Sequence, residues 1–245
     1  MIVGMTGMGG GALMTPLLIS YVGLSPAVAV SSDIIYGAIT KIFGSIQHLR
    51  QGTVDRELVK RLAVGSIPGA IVGSGLAAIL KASGIDFNSF VKQALGIALC
   101  IIATLLLVSF LFNVNSVKQR IHTWIHAEQY PRLWLGLVGA LGGFTVGLTS
   151  VGSGTIMMAC VLVISNTSLR KLVGSDIVHA VLLLWTASIT HIFVGEIQWS
   201  VVAWLLVGSI PGIVIGSRLS ARAPKQLIKL LMVGLLLFFG IKMLK

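Results

Sequence analysis

Long, continuously apolar runs separated by short polar connections dominate this chain. The clearest runs cover residues 62–80, 90–112, 177–194, 201–215 and 227–244. About 20 apolar residues are enough for a helix to cross the hydrocarbon core of a bilayer. Membrane barrel strands instead alternate apolar and polar residues over about ten positions, so the continuous runs predict helices. The pattern therefore predicts an all-α polytopic membrane protein.

Composition and charge agree with this prediction. Hydrophobic residues make up 56% of the chain and charged residues only 10%, with a mean hydropathy of +0.98. The net charge of +11 comes from Lys and Arg in the short connections, where cations fix the orientation of membrane spans and meet anionic headgroups. The lipid bilayer is therefore an expected partner, and nucleic acid is not.

The chain contains an internal repeat. Shifted by 143 residues, positions 3–78 align without a gap to positions 146–221, and 27 of the 76 pairs are identical. The identical pairs include rare polar residues, which shared hydrophobicity does not explain, and a Gly-Ser-Ile-Pro-Gly block at 65–69 and 208–212. We expect an N-terminal repeat half at 1–112, a basic connecting segment at 113–131 and a C-terminal repeat half at 132–245.

Glycine-rich stretches interrupt equivalent runs in the two halves, at residues 6–11 and 149–154. Glycine weakens a helix by about 1 kcal/mol relative to alanine, so these clusters predict an open backbone in the first segment of each half. Glycines spaced by four are instead typical of close helix packing, and that interpretation fits two triplets better. The triplets are Gly65, Gly69 and Gly73, and Gly208, Gly212 and Gly216.

The second interrupted run is too long for one ordinary crossing. Residues 132–165 would extend about 51 Å as a helix. If the run crosses once, Lys and Arg divide nine against eight between the two sides of the membrane. If it enters and returns at the glycines, they divide thirteen against four, which obeys the positive-inside rule. The return predicts that the two halves are inverted relative to each other.

Polar residues inside the apolar runs are candidates for chemistry, because charges there usually face a cavity or a partner. Lys41 can attract an anion or pair with Asp176, and both interpretations stay open. Asp33 and Asp176 each follow a serine at a predicted helix start, where capping is the favoured role and proton carriage the alternative. His48 and His191 lie near the membrane edge, where they can titrate or make interfacial hydrogen bonds.

Motifs for an enzyme do not occur in the sequence. It contains no HExxH, no nucleotide-binding GxxxxGK[ST] and no GxSxG, and its polar connections are short. Cys100 and Cys160 stand alone in apolar runs and are interpreted as packing residues. We expect no catalytic site, no metal and no cofactor, and no direct use of ATP.

The sequence resembles the TauE/SafE sulfite exporter family, also called the TSUP transporters. The resemblance rests on Gly7-x-Gly9-Gly10-Gly11 followed by Pro16, on its echo Gly152-x-Gly154, and on the two Gly-Ser-Ile-Pro-Gly blocks. The echo departs from the first copy, with Ser153 inside it and Ala159 at the position equivalent to Pro16. The resemblance implies a plasma-membrane permease of about eight membrane segments that moves sulfite, organosulfonates or related small anions, often outward.

We therefore expect a secondary transporter for small sulfur-containing anions, driven by a proton or anion gradient. A passive anion channel, a transporter of another small anion and a membrane scaffold are the alternatives, and the oligomeric state stays open. The predicted proton-coupling candidates are Asp33, Asp176, His48 and His191. The predicted substrate-binding residues offer backbone amides, hydroxyls or a cation; they are Gly9, Gly10, Gly11, Lys41, Thr149, Ser150, Gly152, Ser153 and Gly154.

Overall fold

The computed structural model describes residues 11–84, 86–111, 132–152, 154, 157, 160–161, 169–194, 197–220 and 225–245. Within these ranges the regular structure is entirely helical. Eight helices have both bounds among the described residues: α1 (Gly11–Leu17), α2 (Pro26–Arg50), α3 (Arg56–Ala82), α4 (Phe87–Leu111), α5 (Arg132–Thr149), α6 (Leu169–Val194), α7 (Trp199–Ser220) and α8 (Lys225–Leu244). A single π-helical turn, Leu18–Val22, follows α1.

The lengths of these helices suit a membrane. Four stretches are long and apolar enough to cross a bilayer: Pro26–Arg50, Arg56–Ala82, Phe87–Val108 and Lys171–Phe193. Four more apolar helices are shorter. Large apolar side chains such as Val64, Phe193 and Trp204 face outward, which suits contact with lipid rather than water. The predicted multi-pass helical membrane protein is confirmed, while the count of about eight segments stays a prediction.

Helices α3 and α5 pack with their backbones in direct contact. A Cβ added at Gly65, Gly69 or Gly73 would collide with the backbone of Gly136, Ala140 or Phe144, respectively. The numbering rises together along both helices, so they run in the same direction. Small residues allow membrane helices to approach this closely. The packing role predicted for the first glycine triplet is confirmed.

The second triplet behaves differently. Nothing lies within 4 Å of a Cβ built on Gly208, the equivalent of Gly65, so the packing role predicted there is wrong for the described part of the chain. Gly212 and Gly216 lie on α7, but their surroundings are outside the described side chains. The equivalent glycines Gly65 and Gly208 therefore have different neighbours in the two halves.

Helices α2 and α6 cross in opposite directions at the centre of the fold. A Cβ on Gly37 would touch Leu184, and one on Gly44 would touch Ile177, so the numbering rises along one helix as it falls along the other. The largest core around this crossing includes Ile34, Leu183 and Ala187. Helices α4 and α8 are likewise antiparallel, since Gly96 faces Leu244 and Gly240 faces Cys100. Cys100 thus packs against a neighbouring helix, as predicted.

The chain reverses direction after α5. The side chain of Met157 packs against Gly142, and Val161 belongs to the same apolar core as Leu135 near the start of α5. Residues beyond the glycine-rich stretch therefore lie back along the helix that precedes it. This is the path that the charge distribution predicts for the second interrupted run.

Corresponding helices begin at equivalent positions of the repeat. Helix α2 begins at Pro26 and α6 at Leu169, while α3 begins at Arg56 and α7 at Trp199. Each pair of starts differs by the offset of 143 residues found in the sequence. This agreement supports the internal repeat as an organising unit of the fold.

Candidate substrate and coupling site

A buried carboxylate lies where three chain segments meet. Asp33 on α2 is only 1% exposed. Its Oδ2 accepts hydrogen bonds from the hydroxyl of Thr15 on α1 at 2.6 Å and from the hydroxyl of Ser150, just past α5, at 2.7 Å. Its Oδ1 is buried and has no hydrogen-bond partner in the described part of the chain. An unsatisfied buried oxygen is costly, so this position suits a proton or a ligand.

The backbone around Ser150 has the open conformation that the glycines predict. Helix α5 ends at Thr149, Ser150 has a φ of 63° and Gly152 a φ of 117°. Ser150 donates its backbone N–H to the carbonyl of Val146, and Thr149 Oγ1 accepts the N–H of Val151. The turn therefore satisfies part of its backbone locally and aims the Ser150 hydroxyl at Asp33. The break predicted in the second half is confirmed at these residues.

The start of α1 touches this break directly. A Cβ added at Gly11 would come within 2.8 Å of the carbonyl oxygen of Ser150 and 3.7 Å of Asp33 Oδ2. Only glycine leaves room for this approach. Of the other predicted binding residues near the breaks, Thr149, Gly152 and Gly154 are buried beside the turn. Gly9, Gly10 and Ser153 lie outside the described residues.

The capping role favoured for the two aspartates is wrong. Helix α2 begins at Pro26 with Ser25 as its N-cap, and Asp33 lies seven residues further along. Asp176 likewise lies seven residues past Leu169, where α6 begins. The apolar-to-polar change at Ser32 and Ser175 was mistaken for a helix start, although both helices begin two turns earlier. Neither carboxylate therefore caps the free backbone N–H groups at the start of its helix. Carrying a proton is the predicted role that remains for both.

Lys41 lies in the same central region. It interacts electrostatically with Asp176 most strongly and with Asp33 more weakly. This order agrees with the sequence argument, because Asp33 lies eight residues from Lys41 on one helix, about 12 Å along its axis. The structure brings Lys41 and Asp176 together electrostatically, and this does not exclude contact of Lys41 with a substrate.

Each of the two predicted histidines is hydrogen-bonded to a hydroxyl near the C-terminal end of its helix. His48 Nδ1 lies 2.9 Å from Thr53 Oγ1, and His191 Nδ1 lies 3.0 Å from Ser31 Oγ. His191 also donates from Nε2 to the carbonyl of Gly147 at 2.8 Å, which ties α6 to α5 beside the break. Both rings are thus held by specific hydrogen bonds rather than only by packing.

Two hydrogen bonds between the halves form a matched pair. The backbone N–H of Gln198 donates to Ser32 Oγ at 3.1 Å, and the backbone N–H of Asp55 donates to Ser175 Oγ at 2.7 Å. Gln198 and Asp55 are 143 residues apart in the sequence, and so are Ser32 and Ser175, so the two bonds are equivalent in the repeat. Contacts of this reciprocal form are what a two-fold axis between the halves produces.

A second matched pair lies deeper. Ser66 Oγ lies 2.7 Å from His179 Nε2, and the side chains of the equivalent residues Ser209 and Tyr36 also interact. Tyr36 and His179 were not among the predicted site residues of the sequence. Comparing the repeats could have found them, because they occupy one repeat position with different polar groups. Thr15 gives no such signal, since its equivalent is Met158.

These features define the class of protein: a multi-pass helical membrane protein with a polar, partly ionisable site among its spans. The family model for the sulfite exporter TauE/SafE matches residues 1–243. The chain belongs to this family and is a membrane transporter, and the resemblance seen in the sequence motifs is confirmed.

Three bacterial relatives are similar along most of this chain. The probable membrane transporter protein YjnA of Bacillus subtilis (strain 168) is 38% identical over 243 residues, covering 99% of this chain and 94% of the relative. YtnM and YdhB, also described as probable membrane transporter proteins of that organism, are 26% and 23% identical. They match 86% and 93% of this chain, and 65% and 89% of their own lengths. No solved structure matches this chain.

Proposed function

We propose that this protein is a secondary transporter that moves a small sulfur-containing anion, of the sulfite or organosulfonate class, across the plasma membrane. The observation that carries the proposal is the contact beside Asp33 between Gly11, the last residue of the first glycine-rich stretch, and Ser150 in the second. Thr15 and Ser150, one from each half, donate to the same carboxylate oxygen. Transporters built from repeats commonly bind substrate where interrupted helices of the two halves meet.

The anion binds at this junction through neutral donors. Gly11 and the residues around Ser150 are close together, and glycine lets a ligand approach the backbone. Neutral hydroxyl and amide donors suit a transported ion, because they replace hydration without preventing release. The same logic extends to Gly9, Gly10 and Ser153, which neighbour these residues in the sequence. Lys41 supplies positive charge deeper in the protein.

A carboxylate beside an anion site couples the anion to a proton. Ionised Asp33 repels an anion at the junction, whereas the protonated acid offers a neutral O–H donor. Its unpartnered Oδ1 provides the atom that a proton would occupy. We therefore assign Asp33 as the principal coupling group, with the anion and proton bound together. Asp176, His48 and His191 remain further candidates.

The directions of the helices support an inverted repeat. Helices α2 and α6 are equivalent, antiparallel and joined by reciprocal contacts, so an axis relating them is perpendicular to both helices. For helices that span a bilayer, such an axis lies in the membrane plane. The reversal after α5 also agrees with the thirteen-to-four distribution of cations. Cysteines at positions 56, 120, 170 and 222 should then all label from the cytoplasmic side.

Transport of a radiotracer panel into proteoliposomes tests the proposed function. The panel contains sulfite, sulfoacetate, sulfate, thiosulfate and chloride, with protein-free liposomes as the control. We expect saturable uptake of sulfite or an organosulfonate that increases with an imposed proton gradient. Non-saturable flux without gradient-driven accumulation would indicate a passive channel, and absence of flux for all five anions would contradict the proposal.

A further inference from the structure

His179 is a buried histidine, and only one of its two ring nitrogens has a hydrogen-bond partner among the described residues. The side chain is 0% exposed, and Nε2 lies 2.7 Å from the hydroxyl of Ser66 on α3. Nδ1 is buried and has no hydrogen-bond partner among the described residues. Buried polar atoms are nearly always satisfied, so an orphan ring nitrogen inside a transporter indicates a missing ligand.

The bond to Ser66 decides which nitrogen carries the proton. If the Ser66 hydroxyl donates to Nε2, only the Nδ1–H group of the pair is left unsatisfied. If Nε2–H donates to the hydroxyl, both the Ser66 proton and the Nδ1 lone pair lack partners in the described part of the chain. The first arrangement leaves fewer buried groups unpaired and is therefore favoured. His179 then presents an N–H donor that awaits an acceptor.

Lys41 lies close to the level of His179 along the α2–α6 crossing. The register set by Gly37 with Leu184 and Gly44 with Ile177 places Lys41 level with the α6 residue next to His179. An electrostatic interaction between Lys41 and His179 agrees with this placement. Asp176, three residues before His179 on α6, interacts with Lys41 as well. An ammonium group and an N–H donor thus lie at one level of the α2–α6 crossing.

The equivalent place in the other half lacks this combination. Tyr36 replaces the histidine and its side chain interacts with Ser209, while Leu184 replaces the lysine. The repeat therefore offers one pair of anion donors rather than two. We propose that His179 Nδ1–H and the Lys41 ammonium together bind the transported oxyanion at a second position, about two helical turns from Asp33. The anion there competes with Asp176 for the positive charge of Lys41.

The geometry suits an anion with several oxygens. Two donors from different helices can each bind a separate oxygen of a sulfite or sulfonate group, whereas chloride offers one centre to both. His179 therefore adds selectivity for oxyanions over halides, and Lys41 adds attraction for any anion. This inference rests on the proposed function, because it names a further contact along the same transport path.

Sulfite uptake by proteoliposomes, with chloride as competitor, tests the inference. We expect His179→Phe, which removes the donor and keeps a ring, to raise the KM for sulfite about tenfold. Chloride should then compete more effectively. His179→Asn, which keeps an N–H donor, should retain most of the affinity. Thr186→Ala is the matched control on α6, because that hydroxyl donates to the carbonyl of Leu182 on its own helix and its loss should leave KM unchanged.

The outcomes separate this inference from the proposed function. If the wild type takes up sulfite and folded His179→Phe has the same KM, only the proposed role of His179 is wrong. If the wild type takes up no sulfite, the proposed function is wrong. If His179→Phe does not fold, nitrogen NMR of histidine-labelled wild-type protein replaces it. We expect sulfite to shift the Nδ1 resonance of His179, and a resonance that does not move at saturating sulfite would contradict the inference.

Discussion

The two halves of this protein share a framework and differ in chemistry, most clearly in α2 and α6. Both helices carry a serine six residues and an aspartate seven residues past equivalent starts, and both use the serine to accept a backbone N–H from the other half. Asp33, however, receives two hydroxyl hydrogen bonds. At the positions equivalent to its donors, the repeat has Met158 and Gly7. Asp176 interacts electrostatically with Lys41 instead.

This difference indicates which features are structural and which carry transport. Features found in both halves, such as the reciprocal serine bonds, hold the halves together. Features found once, such as Lys41 or the hydroxyl pair at Asp33, give the two sides of the site different affinities for protons and anions. An asymmetric site in a symmetric framework lets binding favour one arrangement of the halves over the other.

The largest effect should come from equivalent glycines with different neighbours. Gly65→Ala places a Cβ against the backbone of Gly136, whereas Gly208→Ala enters open space. Overpacking costs about 1 to 3 kcal/mol, and more when the obstacle is backbone. We expect a severe loss of folded protein for the first variant and none for the second. Thermal unfolding of the two purified variants in detergent is the measurement, and equal stabilities would show that α3 and α5 do not pack as described.

The next effect distinguishes the two aspartates. Ionised Asp33 repels the anion, so wild-type flux should fall as the pH rises. Asp33→Asn cannot ionise and should lose this dependence, together with gradient-driven accumulation, while Asp176→Asn should keep it. Sulfite flux measured from about pH 5.5 to 8.5 compares them, with His48→Gln and His191→Gln tested in the same way. A wild-type pH profile in all four variants would remove these groups from coupling.

A smaller effect is expected at Lys41, which the other half replaces with Leu184. Lys41→Gln removes the positive charge and should weaken sulfite affinity about tenfold without unfolding the protein, because a hydrogen bond to a charged partner contributes about 1.5 to 3 kcal/mol. Lys171→Gln changes an exposed cation near the start of α6 and is the control. Equal sulfite affinities in the two variants would show that Lys41 does not bind the anion and interacts with Asp176 instead.

The smallest effect concerns the bonds that both halves share. Ser32→Ala and Ser175→Ala should each lower the free energy of unfolding by about 0.5 to 1.5 kcal/mol, because each removes a hydrogen bond to one backbone N–H. The two losses should be similar, and the double variant should be close to their sum. Denaturation of the three variants gives these values. A large loss in one single variant and none in the other would break the correspondence between the halves.

Much of the fold could be predicted from the sequence because the membrane imposes simple rules. Continuous apolar runs predicted the helices, and the glycine-rich stretch predicted the break after Thr149. Asp33 was wrongly interpreted as a cap because the serine before it was given more weight than Ser25-Pro26, an N-cap serine followed by proline at the first helical position. The convergence of Thr15, Asp33 and Ser150 depends on packing between distant segments, which one sequence does not reveal.

Sulfite affinity of glycine variants at the two breaks tests most directly whether the anion binds where they meet. Isothermal titration of the purified protein would compare the wild type with Gly10→Val, Gly152→Val and the double variant, each checked for folding by circular dichroism. Valine adds bulk where the ligand must approach the backbone. The account predicts measurable sulfite binding in the wild type and its loss in the double variant. Wild-type affinity in a folded double variant would place the anion site elsewhere.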